Sequence, residues 1–405
     1  MKLLLALLLF APSAYAADTI KTPIVRSGID VLQERNFRDL KGKRFGLITN
    51  QTGVDAKGVL TARILAAAPG AQMVALFSPE HGFTGHSEST SVASGRYLLP
   101  DGRDIPLYSL YGGTRTPTTA MLKGIDALVF DIQDIGARFY TYATTMAYAL
   151  EKATKLEIEF IVLDRPNPIN GITVEGPVLE INDGLKSFIS YFAIPTRHGL
   201  TMGEIARLHN FKAKIGARLT VVPLKDWRRK MWFDETGLPW VRPSPNMPDL
   251  DSATLYPGIA CFEASNISVG RGTPIPFRWI GAPWMNAKAV VRILKKAKLK
   301  GVHFKVKTFT PTKSVFKGEK SRGIQMTITD RNAIQPFRIF VHLATALRDL
   351  HPDKFGIGSD RTSRLIGSKR FNAHYLTDSK AKDIIELFEN EAARFRAQRE
   401  PFLLY

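Results

Sequence analysis

Four stretches of this chain run apolar and then stop on polar, reactive residues: Arg44 to Gly53, Ala71 to Gly82, Ile125 to Asp134 and Ile158 to Pro168. Their length and β-branched content predict strands. Helical patterns follow the first and third. Val59 to Pro69 has helical spacing, and in Arg138 to Lys155 the apolar positions Phe139, Tyr142, Met146, Ala149 and Leu150 recur three and four residues apart. Thr201-Met202-Gly203-Glu204 is a capping-box sequence that opens another helix. Ala217 to Leu224 reads as a further strand. Such alternation predicts an α/β fold, a mostly parallel sheet flanked by helices on both faces. Every polar ending then falls on one rim, where ligands of open α/β sheets bind. Asn50, Glu80, His81, Asp131, Asp134, Asp164 and Arg165 are expected to share one cleft.

The pattern changes between Val241 and Gly258, where four prolines predict a loop or a crossing between domains. Beyond it lie a basic helix starting near Asn286, strands at Val302 to Thr312 and Gly323 to Asp330, and helices at Pro336 to Asp349 and Lys380 to Gln398. That order predicts a smaller C-terminal α+β domain. The expected divisions are residues 1–16 as an export signal, 17–250 as the catalytic domain and 251–405 as the smaller domain. The signal reading rests on Lys2, the apolar run Leu3 to Phe10 and the Ala14-Tyr15-Ala16 cleavage pattern.

Charge adds a partner class. With a formal net charge of +19 over 405 residues, the chain suits nucleic acid or an anionic extracellular polymer, or the charge only aids solubility. Export favours cell-wall glycan, and a basic exported protein is expected to stay near wall polymer, in the periplasm rather than the medium. RNA-stacking patterns and zinc-finger spacings are absent. The single cysteine, Cys261, excludes an intramolecular disulfide and sits in an apolar context that reads as core.

Several familiar chemistries are unsupported: no glycine-rich dinucleotide or phosphate loop, no H-E-x-x-H and no G-x-S-x-G occurs. The candidates lie at the strand ends. In Ser78-Pro79-Glu80-His81-Gly82, proline ends the ladder and glycine permits a sharp turn, so Glu80 is presented rigidly. A carboxyl held against apolar walls can keep a proton to donate; the alternative is a Glu–His surface turn. Asp131 and Gln133 share one strand face and Asp134 lies nearer the mouth, followed by Arg138, Tyr140 and Tyr142. A helix cap at Asp134 and an arginine partner for Asp131 are the structural alternatives. Asp164-Arg165-Pro166-Asn167-Pro168 displays an arginine and an amide on a stiffened loop. Arg271 lies between glycines, where backbone can approach a ligand. Phe277, Trp279 and Trp284 are suited to stacking on a sugar or to the core, and His198, Glu263 and Asn266 are weaker candidates. A metal site from His81, His86, Glu88 and Asp131 has no supporting ligand spacing.

Together ITNQTG, SPEHGF, FDIQDIGARFYTY, LDRPNP, EGP, SPNMP and FRAQREPFLLY resemble the exo-β-N-acetylmuramidase family of cell-wall-recycling glycosidases, formerly a domain of unknown function. The resemblance runs from about Gly28 to Tyr405. It implies a Rossmann-like N-terminal domain, a smaller C-terminal domain and a cleft between them, with N-acetylmuramic acid released from the non-reducing end of peptidoglycan fragments. Carried over, Glu80 is the general acid and Glu175, of EGP, the second carboxylate. The sugar's acetamido group is an alternative nucleophile, with Asp131 or Asp134 orienting it. The substrate-binding set is then Asn50, His81, Asp134, Arg138, Tyr140, Arg165, Asn167, Asn246 and Arg271. The lactyl carboxylate needs a cation, with Arg165, Arg271 and Arg138 proposed in that order. The proline-rich loop is expected to wall off one end of the pocket. The implied partners are muramic-acid-containing saccharides, with no cofactor, no metal, no nucleic acid and no membrane span once the signal is removed. Rival readings are an esterase or amidase on the same polymer, or a non-catalytic glycan-binding protein.

Overall fold

The computed structural model describes residues 24–358 and 360–405, so the export-signal reading lies outside the described residues. Its strands are β1 (Arg44–Thr49), β2 (Gln72–Ser78), β3 (Gly95–Leu98), β4 (Asp104–Ser109), β5 (Ala127–Asp131), β6 (Glu159–Leu163), β7 (Glu175–Val178), β8 (Pro195–Arg197), β9 (Leu219–Val222), β10 (Trp279–Ala282), β11 (Val302–Phe309) and β12 (Ser321–Ile328). Its helices are α1 (Gly28–Glu34), α2 (Thr61–Ala66), α3 (Tyr142–Lys155), α4 (Met202–Lys212), α5 (Leu250–Ile259), α6 (Ala287–Lys296), α7 (Pro336–Leu350), α8 (Asp360–Ile366), α9 (Lys369–Leu376) and α10 (Ala381–Arg399).

Seven strands form the main sheet in the order β3-β4-β2-β1-β5-β6-β9. Only the edge strand β3 is antiparallel to its neighbour. The parallel strands, counted along the chain, stand third-second-first-fourth-fifth-sixth. That is the doubly wound, Rossmann-like order, with its switch point between β1 and β5. Both faces are buried, which is why the strands read as continuous apolar runs. Phe45, Leu47, Val129 and Ile161 pack against Ile29 and Leu32 of α1 and Leu65 of α2. Ile48, Phe130, Phe160 and Val162 face Met146 and Leu150 of α3 and Ile205 of α4. This second core continues into Phe262, Ile280, Phe340 and Phe388, so it joins the sheet to the C-terminal part. There, β10-β12-β11 form an antiparallel sheet; β7-β8, from the N-terminal part, form a separate antiparallel pair.

The capping box at α4 is present: Glu204 N–H donates to Thr201 Oγ1 at 3.2 Å, and Thr201 N–H to Glu204 Oε2 at 3.0 Å. Two expectations need correction. The helix expected from Arg138 starts only at Tyr142. Ala137 bridges to Arg197 and Arg138 N–H donates to Thr196 O at 2.9 Å, so the β8 edge holds this backbone extended. The expected proline-rich loop contains α5, whose N-cap Asp249 accepts from Ser252 N–H at 2.8 Å. Pro257 sits in its last turn. Next to it Gly258 lies so close to α7 that a Cβ would stand 1.9 Å from Pro336 O. Packing, rather than propensity, holds this helix. Among the described residues no helix is long and apolar enough to cross a membrane.

Candidate active site

β2 delivers Glu80 to its rim. Pro79 ends the strand, Gly82 N–H closes a turn onto Pro79 O at 3.0 Å, and His81 takes the left-handed conformation with φ 71°. The His81 ring is fixed in turn by Nδ1–H donating to Ser87 O at 2.7 Å. Glu80 is half-buried, and hydroxyls are its partners: Thr141 Oγ1 donates to Oε2 at 2.5 Å, and the Tyr111 phenol donates as well. Burial, then the bond to Glu80, pushes the Tyr111 phenol well above its ordinary range. Among the described residues Glu80 has no ion-pair partner.

Around this carboxyl lies a cavity of about 170 Å³. Its wall is aromatic. Tyr140 and Tyr142 meet edge to face at 4.9 Å, Tyr140 and Tyr256 at 5.8 Å, and Tyr256 and Phe277 at 4.7 Å. Ser244 and Asn246, from the proline-rich segment, and Tyr256, from α5, line the cavity too, so the Val241 to Gly258 region does contribute a wall. Arg271 completes it. Its Nε donates to Glu263, and its guanidinium lies 5.6 Å from the Phe277 ring centre. Burial pulls the Arg271 pKa down, but Glu263 more than offsets this and leaves it raised. A larger cavity of about 630 Å³ adjoins, sharing Glu88, Thr90, Asn246 and Arg271 and adding Glu263, Lys313 and Arg361. Glu88 stands between the two. It accepts from Asn246 Nδ2 at 3.0 Å and pairs with Lys313, whose hydrogen bond holds the Glu88 carboxyl below its usual range.

Of the expected cleft residues, the fold brings Glu80, His81, Tyr140, Asn246 and Arg271 to the cavity. The others lie elsewhere. The switch point between β1 and β5, the usual ligand crevice, is filled by protein. Fully buried Asp131 takes Arg165 bidentately, Nε at 2.5 Å and Nη2 at 2.9 Å, and also accepts from the Thr61 hydroxyl. Arg165 Nη2 further donates to Val54 O at 2.8 Å. Asn50 Oδ1 accepts from Thr52 N–H at 2.9 Å and from its hydroxyl at 2.6 Å, folding the loop over the crevice. Neighbouring strand ends have satisfied each other's charge, and only a cavity of about 10 Å³, lined by Thr52, Val54, Gln133 and Arg165, remains there.

The remaining placements have similar causes. Arg138 is buried and donates to Ser190 Oγ and to the carbonyls of Pro177, Ile194, Leu365 and Ile366. Asp164 accepts from Gly203 N–H, Thr201 Oγ1 and the phenol of Tyr405, tying α4 and the C-terminal residue to β6. Asn167 Nδ2 donates to Leu200 O at 3.0 Å. Asp134 accepts from Gly136 N–H at 2.8 Å; burial pushes its carboxyl up to about 7, and it stands behind Tyr140 rather than in the lining. Glu175 does not face Glu80. It lines a separate cavity of about 260 Å³ with Phe337, Arg338, Phe388, Glu389 and Arg396, where burial pushes it up to about 7 against the pull of Arg197. Tyr111, Thr141, Ser244 and Tyr256 are lining residues that sequence reasoning missed. Thr141 sits inside the RFYTY motif, and Tyr111 follows β4, a fifth strand ending of the same kind.

A doubly wound α/β sheet, a C-terminal part that closes its rim, and a buried aromatic cavity around one rigid carboxyl define a two-part α/β enzyme. The chain belongs to the family described as Exo-beta-N-acetylmuramidase NamZ: residues 45–251 match its N-terminal model and 254–405 its C-terminal model. It is 42% identical, over 96% of its length and 93% of the relative's, to the "Peptidoglycan beta-N-acetylmuramidase NamZ" of Bacillus subtilis (strain 168). Two solved structures of DUF1343 family proteins from Bacteroides fragilis NCTC 9343 share the fold. One has a TM-score of 0.86 at 39% identity, the other 0.73 at 28%, each covering 94% of this chain and 99% of the other.

Proposed function

We propose that this chain is an exported exo-β-N-acetylmuramidase, a glycoside hydrolase that removes N-acetylmuramic acid from the non-reducing end of peptidoglycan fragments, with Glu80 as its general acid. The relative of known name supports the activity. The observation that carries the residue assignment is the Glu80 carboxyl, held only by hydroxyl partners at the base of an aromatic cavity. In this reading Glu80 gives a proton to the glycosidic oxygen as the bond to the anomeric carbon breaks and water supplies that carbon's new oxygen, while the aromatic wall faces the sugar. The cavity's other carboxyl is Glu88, ionised beside Lys313; it suits the second role better than Glu175, which opens on a different cavity. The 630 Å³ cavity beyond takes the leaving saccharide.

A chromogenic β-N-acetylmuramide and the matching N-acetylglucosaminide test the activity side by side. Hydrolysis of the muramide, with free N-acetylmuramic acid released from a disaccharide, is expected. Hydrolysis of the glucosaminide alone, or loss of an acyl or peptide group from an intact disaccharide, contradicts it. Export to the periplasm is proposed from residues 1–16, and cell fractionation with the signal residues deleted tests it: the protein should then stay in the cytoplasm.

A further inference from the structure

We propose that Arg271 selects a carboxyl-bearing sugar over its neutral counterpart by taking the lactyl carboxylate of N-acetylmuramic acid on the open end of its guanidinium. The inference rests on the muramidase reading of the Glu80 cavity. N-acetylmuramic acid differs from N-acetylglucosamine by one lactyl ether, whose carboxylate is the ionised group that tells them apart. A carboxylate entering an aromatic-walled cavity gives up water and needs a charged donor in exchange.

Three arginines were candidates, and their hydrogen bonds separate them. Arg165 spends Nε and Nη2 on Asp131 and Val54. Arg138 spends Nε, Nη1 and Nη2 on Ser190 and four backbone carbonyls. Neither lines the cavity. Arg271 lines both it and the adjoining one, and spends only Nε, on Glu263. Its Nη1 and Nη2 carry no hydrogen bond among the described residues. The pair is the planar fork that matches a carboxylate bidentately. Glu263 on one edge and Phe277 on the face hold the guanidinium in place.

The test compares kcat/KM for three chromogenic substrates: the β-N-acetylmuramide, its lactyl methyl ester and the β-N-acetylglucosaminide. Native enzyme should prefer the free acid over the other two by about 10- to 100-fold, the range of a charge-assisted hydrogen bond. Arg271→Gln should lose that factor on the free acid and nothing on the ester or the glucosaminide, and Arg271→Lys should retain part of the preference. Equal hydrolysis of acid and ester by the native enzyme overturns the inference and leaves the muramidase reading intact; this arm needs no variant to fold. Equal loss on all three substrates by Arg271→Gln also overturns it, as a structural role would. Hydrolysis of the glucosaminide alone sinks the muramidase reading and the inference with it.

Discussion

Asp131, a catalytic candidate in the sequence, and Arg165, a substrate-binding one, pair with each other in the fold, and removing one of them separates a chemical role from a structural one. Asp131→Ala leaves a guanidinium only 5% exposed with a single carbonyl partner, Val54 O, and takes the acceptor from the Thr61 hydroxyl. Breaking a buried pair by deleting one partner costs about 3–5 kcal/mol. The whole stability of a domain is about 5–15 kcal/mol, so the variant should fold but be greatly weakened. In urea unfolding with a slope of about 3 kcal/mol/M or more, the midpoint should fall by about 1 M. Replacing both partners with apolar residues, Asp131→Leu with Arg165→Met, should recover most of the loss, because the lone charge is then gone. Turnover of folded Asp131→Ala should stay close to native, since the residue lies outside the Glu80 cavity. A cost below about 1 kcal/mol, the level of an exposed pair, would refute the buried-plug argument. So would a fall in turnover of about 10²-fold or more without a matching loss of stability, the mark of a direct chemical role.

Burial raises the Glu175 carboxyl from 4.5 to about 7, so the folded state holds its proton where the unfolded chain has released it. Its contribution to stability is complete below pH 4.5 and is lost as pH rises through about 7. The unfolding free energy of native protein relative to Glu175→Gln should therefore fall by on the order of 3 kcal/mol between acidic and neutral pH. A constant difference would contradict this, and Asp134, raised in the same window, cancels in the comparison. Gly258→Ala places a methyl 1.9 Å from Pro336 O, and should lower stability by about 1–3 kcal/mol or more as α5 and α7 are forced apart. Unchanged thermal unfolding of that variant would show that the contact relaxes freely.

The sheet was readable because strands buried on both faces are apolar without interruption, and their polar ends mark one rim. Of the residues this pattern put at that rim, Glu80 and His81 line the cavity. The pattern could not tell a polar end that meets a ligand from one that meets its neighbour. Asp131 and Arg165 close on each other because β5 and β6 lie side by side, and strand order is not visible in local pattern. Glu175 was carried by a motif, and the motif marks a packed position on β7. Tyr111 was missed because β4 is interrupted by Pro106 and half-exposed, so its apolar run is weak. α5 was hidden by Pro257, a residue that local rules exclude from helices and that packing against α7 overrides. Arg271 stood out by its flanking glycines. Its open fork became visible only when the bonds of the three arginines were compared.

The most direct test of the account is the leaving-group dependence of Glu80→Gln. Glu80 is assigned to protonating the departing oxygen, a step worth about 10²–10⁴-fold. Against a muramic-acid disaccharide, whose leaving alcohol is poor, kcat/KM should fall by that factor. Against an aryl β-N-acetylmuramide with a strongly acidic phenol, which leaves without a proton, the fall should be far smaller. Equal losses on both substrates, or no loss on the disaccharide, would contradict the assignment of Glu80 as the acid.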